Sequence, residues 1–297
     1  MVKKFPHLLQ VGARRASMQL IQPHPRTMKK TLLAILGLAA VSLAGVNGQA
    51  LLFTQNFTSS ATVSDYASGT PSIGQWNAIS TANATLKTWS IQSNSLQMAS
   101  TGGSSAAATR STDFSTIPTA LNLSMTFNLV SSSASNTQAL LFAFGNGFTT
   151  ANSDPTVGTI NTRFAIGTTA SNQWFIRDIG GTANSGNFSG SQAINLYTNS
   201  SGNSISYNAP NGSPTDLATG KWDLWVGTSS VFSNSNINNS TISLADFKIS
   251  NPGSGSYTAQ MTDFVITEVV PEPSTWALIG LGAAFVLWRM RRRRIVG

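Results

Sequence analysis

The chain has 297 residues, no cysteine, only 9% charged residues and a formal net charge of +8, so its fold rests on an apolar core without disulfides or thiolate chemistry. Twelve of its eighteen basic residues lie at the ends: Lys3, Lys4, Arg14, Arg15, Arg26, Lys29 and Lys30 in front, and Arg289, Arg291, Arg292, Arg293 and Arg294 behind. Between residues 51 and 270 six bases face nine acids, a net −3, which excludes the basic footprint of a nucleic-acid binder.

Residues 1–27 hold Pro6, Pro23, Pro25 and both histidines, and lie ahead of Met28-Lys29-Lys30, which has the form of a natural start. We read this segment as an upstream extension, with translation beginning at Met28. A twin-arginine reading of Arg14-Arg15 fails because the apolar core lies beyond two prolines. Residues 28–50 follow the charged, apolar, small-residue order of a secretory signal: Lys29-Lys30, then Leu32 to Ala44, then small residues. Gly48 and Ala50 supply a −3/−1 cleavage pair, with Ala44 as an earlier alternative, so the mature chain is expected to begin near Leu51.

Residues 51–268 are expected to form one all-β body. In "LNLSMTFNLV" Leu121, Leu123, Met125, Phe127 and Leu129 share one parity and Asn122, Ser124, Thr126 and Asn128 the other, which predicts one buried and one wet strand face. "ALLFAFG" is apolar throughout and predicts a central strand. "LLFTQNF" opens the body, and "RFAIGT", "QWFIRDI", "AINLYT", "SISYN", "KWDLWVGTS", "ISLADFKI" and "DFVITEV" continue the pattern, divided by Gly, Asn, Ser and Pro. Short strands without intervening helices predict a sandwich or barrel. The similar Asp246-Phe247-Lys248-Ile249 and Asp263-Phe264-Val265-Ile266 suggest neighbouring strands of one sheet.

The body has no histidine or cysteine, which removes Ser-His-Asp and Cys-His nucleophilic sites and histidine-based zinc sites. Carboxylates remain, but the only glutamates are Glu268 and Glu272 at the body's end, and Asp178, Asp223, Asp246 and Asp263 read as ladder-end or loop residues. Asn152 and Asp154-Pro155 match no calcium-loop spacing. No catalytic residue, metal site or cofactor is assigned. Aromatic residues are the better contacts, and Trp174, Trp222 and Trp225 are the candidates for stacking on a glycan. Trp222 and Trp225 have opposite parity in one strand, which predicts one in the core and the other on an outer face.

The chain closes with Pro271-Glu272-Pro273, a run without charge from Trp276 to Trp288, and the arginines Arg289, Arg291, Arg292, Arg293 and Arg294. With its flanks the run supplies about 17 residues, or roughly 25 Å of helix, at the lower limit of a membrane span. Tryptophans at both ends suit the interface, and the arginines fix the positive end in the cytoplasm, leaving the body outside. Proline lacks an amide hydrogen and disfavours helix before it, so the span cannot propagate into the body. Motif, short apolar helix and terminal arginine cluster, in that order, resemble the PEP-CTERM sorting signal, the substrate tail of exosortases in exopolysaccharide-making Gram-negative bacteria. The resemblance covers Val270 to Arg294. It implies export across the inner membrane, transient anchoring, and exosortase cleavage near Pro271, Glu272 and Pro273, which are recognised rather than catalytic. The protein is then expected at the cell surface or in the extracellular matrix.

The order of body strands resembles concanavalin A-like and laminin-G-like jelly rolls, at the level of pattern. The expected architecture is therefore a jelly-roll β-sandwich at 51–268, a signal-peptide helix before it, and a sorting signal with one transmembrane helix at 269–297. Two functions follow: a non-enzymatic envelope or matrix protein with exopolysaccharide as candidate ligand, or a secreted glycan hydrolase using aspartates. The shortage of glutamate and histidine favours the first.

Overall fold

The computed structural model describes residues 49–270. The expected upstream extension 1–27, the expected signal segment up to residue 48, and the tail residues Pro271, Glu272, Pro273, Trp276, Trp288, Arg289, Arg291, Arg292, Arg293 and Arg294 lie outside the described residues. Among the described residues, no helix is long and apolar enough to cross a membrane.

Two antiparallel sheets form the body, with strands numbered along the chain. The eight-stranded sheet runs β14 (Ser229–Asn236), β13 (Lys221–Val226), β10 (Ser191–Asn199), β6 (Ala120–Ser132), β16 (Tyr257–Glu268), β4 (Ser95–Ser100) and β3 (Lys87–Gln92), with β1 (Leu51–Gln55) also paired to β16. The six-stranded sheet runs β2 (Ala78–Thr81), β5 (Ala106–Arg110), β15 (Asp246–Asn251), β7 (Asn136–Gly145), β8 (Ile160–Thr168) and β9 (Trp174–Arg177). A separate hairpin joins β11 (Ile205–Asn208) to β12 (Pro214–Leu217). Helical structure among the described residues is confined to two 3-10 turns, Val63–Tyr66 and Val157–Thr159. The expected all-β sandwich is present.

Strand β16 holds the larger sheet together. It pairs with β6 along its length, while on its other side it meets β4 through Tyr257 to Met261 and then β1 through Phe264 to Thr267. The change of partner coincides with a bulge at which Asp263 takes φ 55°, the left-handed conformation that a short polar side chain tolerates.

Strand β6 alternates as its sequence predicts, with Leu121, Leu123, Met125, Phe127 and Leu129 buried in the core. The facing sheet contributes Phe142, Phe144, Phe164, Ile166, Phe247 and Ile249 to the same core. Phe247 and Phe264 lie in opposite sheets with ring centroids 6.3 Å apart. This corrects the expectation that their two similar segments are neighbours in one sheet: the shared Asp-Phe pattern gives each strand one aromatic for a common core.

Strands β5, β7 and β15 are buried on both faces because the segment 146–159 covers the outside of the six-stranded sheet. Lys248 Nζ donates to Thr149 O (3.0 Å) and Ala151 O (2.7 Å), Phe148 N donates to Asp246 Oδ2 (2.8 Å), and Ser250 Oγ donates to Asp154 Oδ1 (2.5 Å). Asn152 meets Ser80 and Ala82 at the far side, so the segment crosses the sheet.

Candidate functional site

The body is ordered up to the start of its tail. Glu268 N donates to Ala50 O and Val269 N to Ala120 O, both at 2.9 Å. Val269 is buried with Ala120, Ile205, Tyr207, Leu217 and Trp225, in a second apolar cluster outside the main core. That cluster lies beneath the β11–β12 hairpin. Tyr207 Oη donates to Asp223 Oδ2 (2.6 Å) and accepts from Trp225 Nε1 (3.0 Å), while Asn234 N donates to Asp223 Oδ1 (2.5 Å). Tyr197 stacks on Tyr207 with centroids 3.7 Å apart. Burial, followed by the hydrogen bond to Asp223, pushes the Tyr207 phenol far above its ordinary range, so it stays a donor.

The structure buries all three tryptophan candidates for stacking on a glycan, including the one of Trp222 and Trp225 expected on an outer face. Trp174 is in the core against Phe127, with ring centroids 4.8 Å apart, and donates to Gly190 O. Trp222 is also in the core and donates to Asn236 O at 2.9 Å. Trp225 does point to the opposite side, as parity requires, but it is only 6% exposed because the hairpin lies over it. None offers an open ring face. Phe175 lies on the outer side of the six-stranded sheet, half-buried, beside Trp174 in sequence and opposite to it in direction. The alternation in "QWFIRDI" carries this signal, since Trp174 and Ile176 share the core parity and leave Phe175 and Arg177 outside.

The carboxylates are dispersed, and most serve local structure. Asp154 accepts from Ser250 Oγ and Gln138 Nε2, Asp178 from Gly181 N, Asp216 from Ser206 Oγ, and Asp65 from Ser60 Oγ. Burial raises the Asp246 carboxyl above the usual carboxylate range, countered by the hydrogen bond from Phe148 N. Among the described residues, no group of three or more His, Cys, Asp or Glu side chains is placed to hold a metal ion.

On the outer face of the six-stranded sheet, β8 and β9 bring two arginines and a phenylalanine together. Ala165 pairs with Arg177 and Gly167 with Phe175, and Arg163 lies two residues from Ala165 on the same face of β8. Arg163 and Arg177 are thus diagonal neighbours, about 7–8 Å apart at the backbone. A Cβ at Gly167 would collide with the Phe175 ring, so glycine allows that ring to lie against the strand. Arg163 Nε is buried without a hydrogen-bond partner. Burial lowers the affinity of the Arg163 guanidinium for its proton, and the charges of Asp154 and Asp178 counter this.

These features define an all-β sandwich that passes directly into a terminal processing signal. Residues 269–293 match the PEP-CTERM protein-sorting motif, so the motif begins at the buried Val269. No curated protein matches the chain. Among solved structures, the chain is similar to a Bacillus subtilis protein of unknown function with a galectin-like fold, at 10% identity and TM-score 0.41, covering 75% of this chain and 97% of that one. It is also similar to the Emp46p carbohydrate recognition domain (10% identity, TM-score 0.42, 74% and 96% covered) and to the Trypanosoma cruzi calreticulin globular domain (8%, 0.39, 82% and 100%).

Proposed function

We propose that this is an exported, non-enzymatic envelope or matrix protein, sorted and cleaved by exosortase in a Gram-negative bacterium, with a concanavalin A-like body that binds exopolysaccharide. The observation carrying this reading is the PEP-CTERM motif at 269–293, which follows β16 without a spacer. A sorting tail needs a folded cargo on one side and a membrane segment on the other, and the hydrogen bonds at Glu268 and Val269 supply the first. A binding rather than catalytic role is supported by the dispersal of the body's carboxylates among local hydrogen bonds, where a glycosidase would set two of them facing one cleft.

Cell fractionation tests the sorting claim. With Pro271, Glu272 and Pro273 changed to alanine, the body is expected outside the inner membrane but tethered and uncleaved, because the protease loses its motif while the anchor remains. Release equal to that of the unaltered protein contradicts exosortase sorting. Incubating the purified protein with the cell's polysaccharide, and following both retention and reducing ends, tests the rest. Binding without new reducing ends is expected, whereas turnover favours the aspartate hydrolase.

A further inference from the structure

The arginine pair on the outer face of the six-stranded sheet has a donor excess that the fold does not use. Of the three arginines among the described residues, the Arg110 guanidinium donates to Ser72 O (2.6 Å) and Gln75 O (2.7 Å), whereas the Arg163 and Arg177 guanidinia make no hydrogen bond to a described residue. Each guanidinium has five N–H groups. The neighbouring acids do not absorb them: Asp154 is engaged by Ser250 and Gln138 in the covering segment, and Asp178 by Gly181 in its own turn. Arg163 Nε is buried and unpaired, which costs free energy, and the terminal N–H groups of both guanidinia are left for an incoming acceptor. Ala165 lies beside Arg177 and between Arg163 and Gly167 on this face, and the half-buried Phe175 ring packs over Gly167 next to the two guanidinia.

We propose that Arg163, Arg177 and Phe175 form a binding site for an acidic glycan, with the guanidinia taking a sugar carboxylate and the phenylalanine ring packing on the sugar's apolar face. The site rests on the glycan-binding reading above and specifies its ligand class as a uronate-type polymer. A carboxylate presents two acceptors in the geometry of a guanidinium fork, which a neutral hydroxyl does not. A sugar ring against Phe175 uses the same apolar contact that was expected of the tryptophans.

The test uses the purified full-length chain and two probes with one backbone, oligogalacturonate and its methyl ester, with binding measured by calorimetry. Binding to the acid is expected at least about tenfold tighter than to the ester, since esterification removes the charge and one acceptor. Arg163→Gln and Arg177→Gln should each weaken binding of the acid by about tenfold with the melting temperature kept, and Arg163→Lys should not restore it, because an ammonium lacks the fork. Equal affinity for acid and ester, or undiminished binding by both glutamine variants, overturns the acidic site while leaving glycan binding in place. Failure to bind either probe, together with failure to bind the cell's own polysaccharide, overturns both. Should a glutamine variant not fold, the comparison of acid with ester on the unaltered chain still decides.

Discussion

Trp225 and Lys87 show how far a side chain's role depends on what covers it. Trp225 points away from the main core, and its exposure is removed by Tyr207 and the hairpin cluster, so Trp225→Ala should act on stability. A loss of about 3–5 kcal/mol in urea unfolding is expected, in line with truncating a buried aromatic; unchanged stability would contradict its placement. Lys87 is fully buried, with Nζ donating to Ser104 O, Asn251 O, Asn251 Oδ1 and Gly253 O at 2.6 to 2.8 Å. Burial lowers its ammonium to about 8, against the opposing charge of Asp154. Between about 8 and the ordinary 10.5 the unfolded chain holds a proton that the folded chain has released, so the Lys87 contribution to stability rises with pH across that window. Relative to Lys87→Met, wild-type stability in urea titrations should therefore be greater at pH 10 than at pH 7. A gap that shrinks at pH 10 would contradict this sign.

At the scale of elements, two coverings determine which faces are open: the β11–β12 hairpin on one sheet and the segment 146–159 on the other. Tyr207→Phe leaves Asp223 Oδ2 and Trp225 Nε1 without their partner and should cost about 1–3 kcal/mol. Hydrogen exchange should show the amides of β16 and β6 as the slowest and those of the edge strand β14 as much faster; equal protection of β14 would indicate a partner on that edge. The strands legible in the sequence are those whose faces differ, such as β6, or whose residues are apolar throughout, such as β7. Strands β2, β4 and β5 escape the reading because "AIST", "SLQMAS" and Ala106-Ala107-Ala108-Thr109 are small and polar, without a strong alternation, whereas β3 does alternate, with Trp89 and Ile91 inside and Thr88, Ser90 and Gln92 between and beyond them. Strands β12 and β14 are missed because Pro, Ser and Asn imitate a loop. The arginine–phenylalanine group was half legible: parity in "QWFIRDI" separates Phe175 and Arg177 from Trp174. Its pairing with Arg163 depends on the β8–β9 register, and the occlusion of Trp225 on the hairpin's fold over β13, neither of which local periodicity encodes.

For the whole molecule, the two ends of the body leave from adjacent strands, since Ala50 and Glu268 are hydrogen-bonded neighbours. A chain beginning at Met28 should be exported as well as the full chain, because the charged and apolar parts of the signal are complete there; export that requires residues 1–27 would contradict the start-site reading. The sorting motif starts at Val269, which is 3% exposed under the hairpin, so the proposed cleavage near Pro271 to Pro273 would fall within a few residues of a folded wall. The intact mass of the protein recovered from the medium or cell surface tests this account most directly. We predict a carboxyl terminus near Pro271 to Pro273, with the body complete through Val269 and the segment from Trp276 to Gly297 absent. A released protein that retains Trp276 to Gly297 would contradict exosortase sorting.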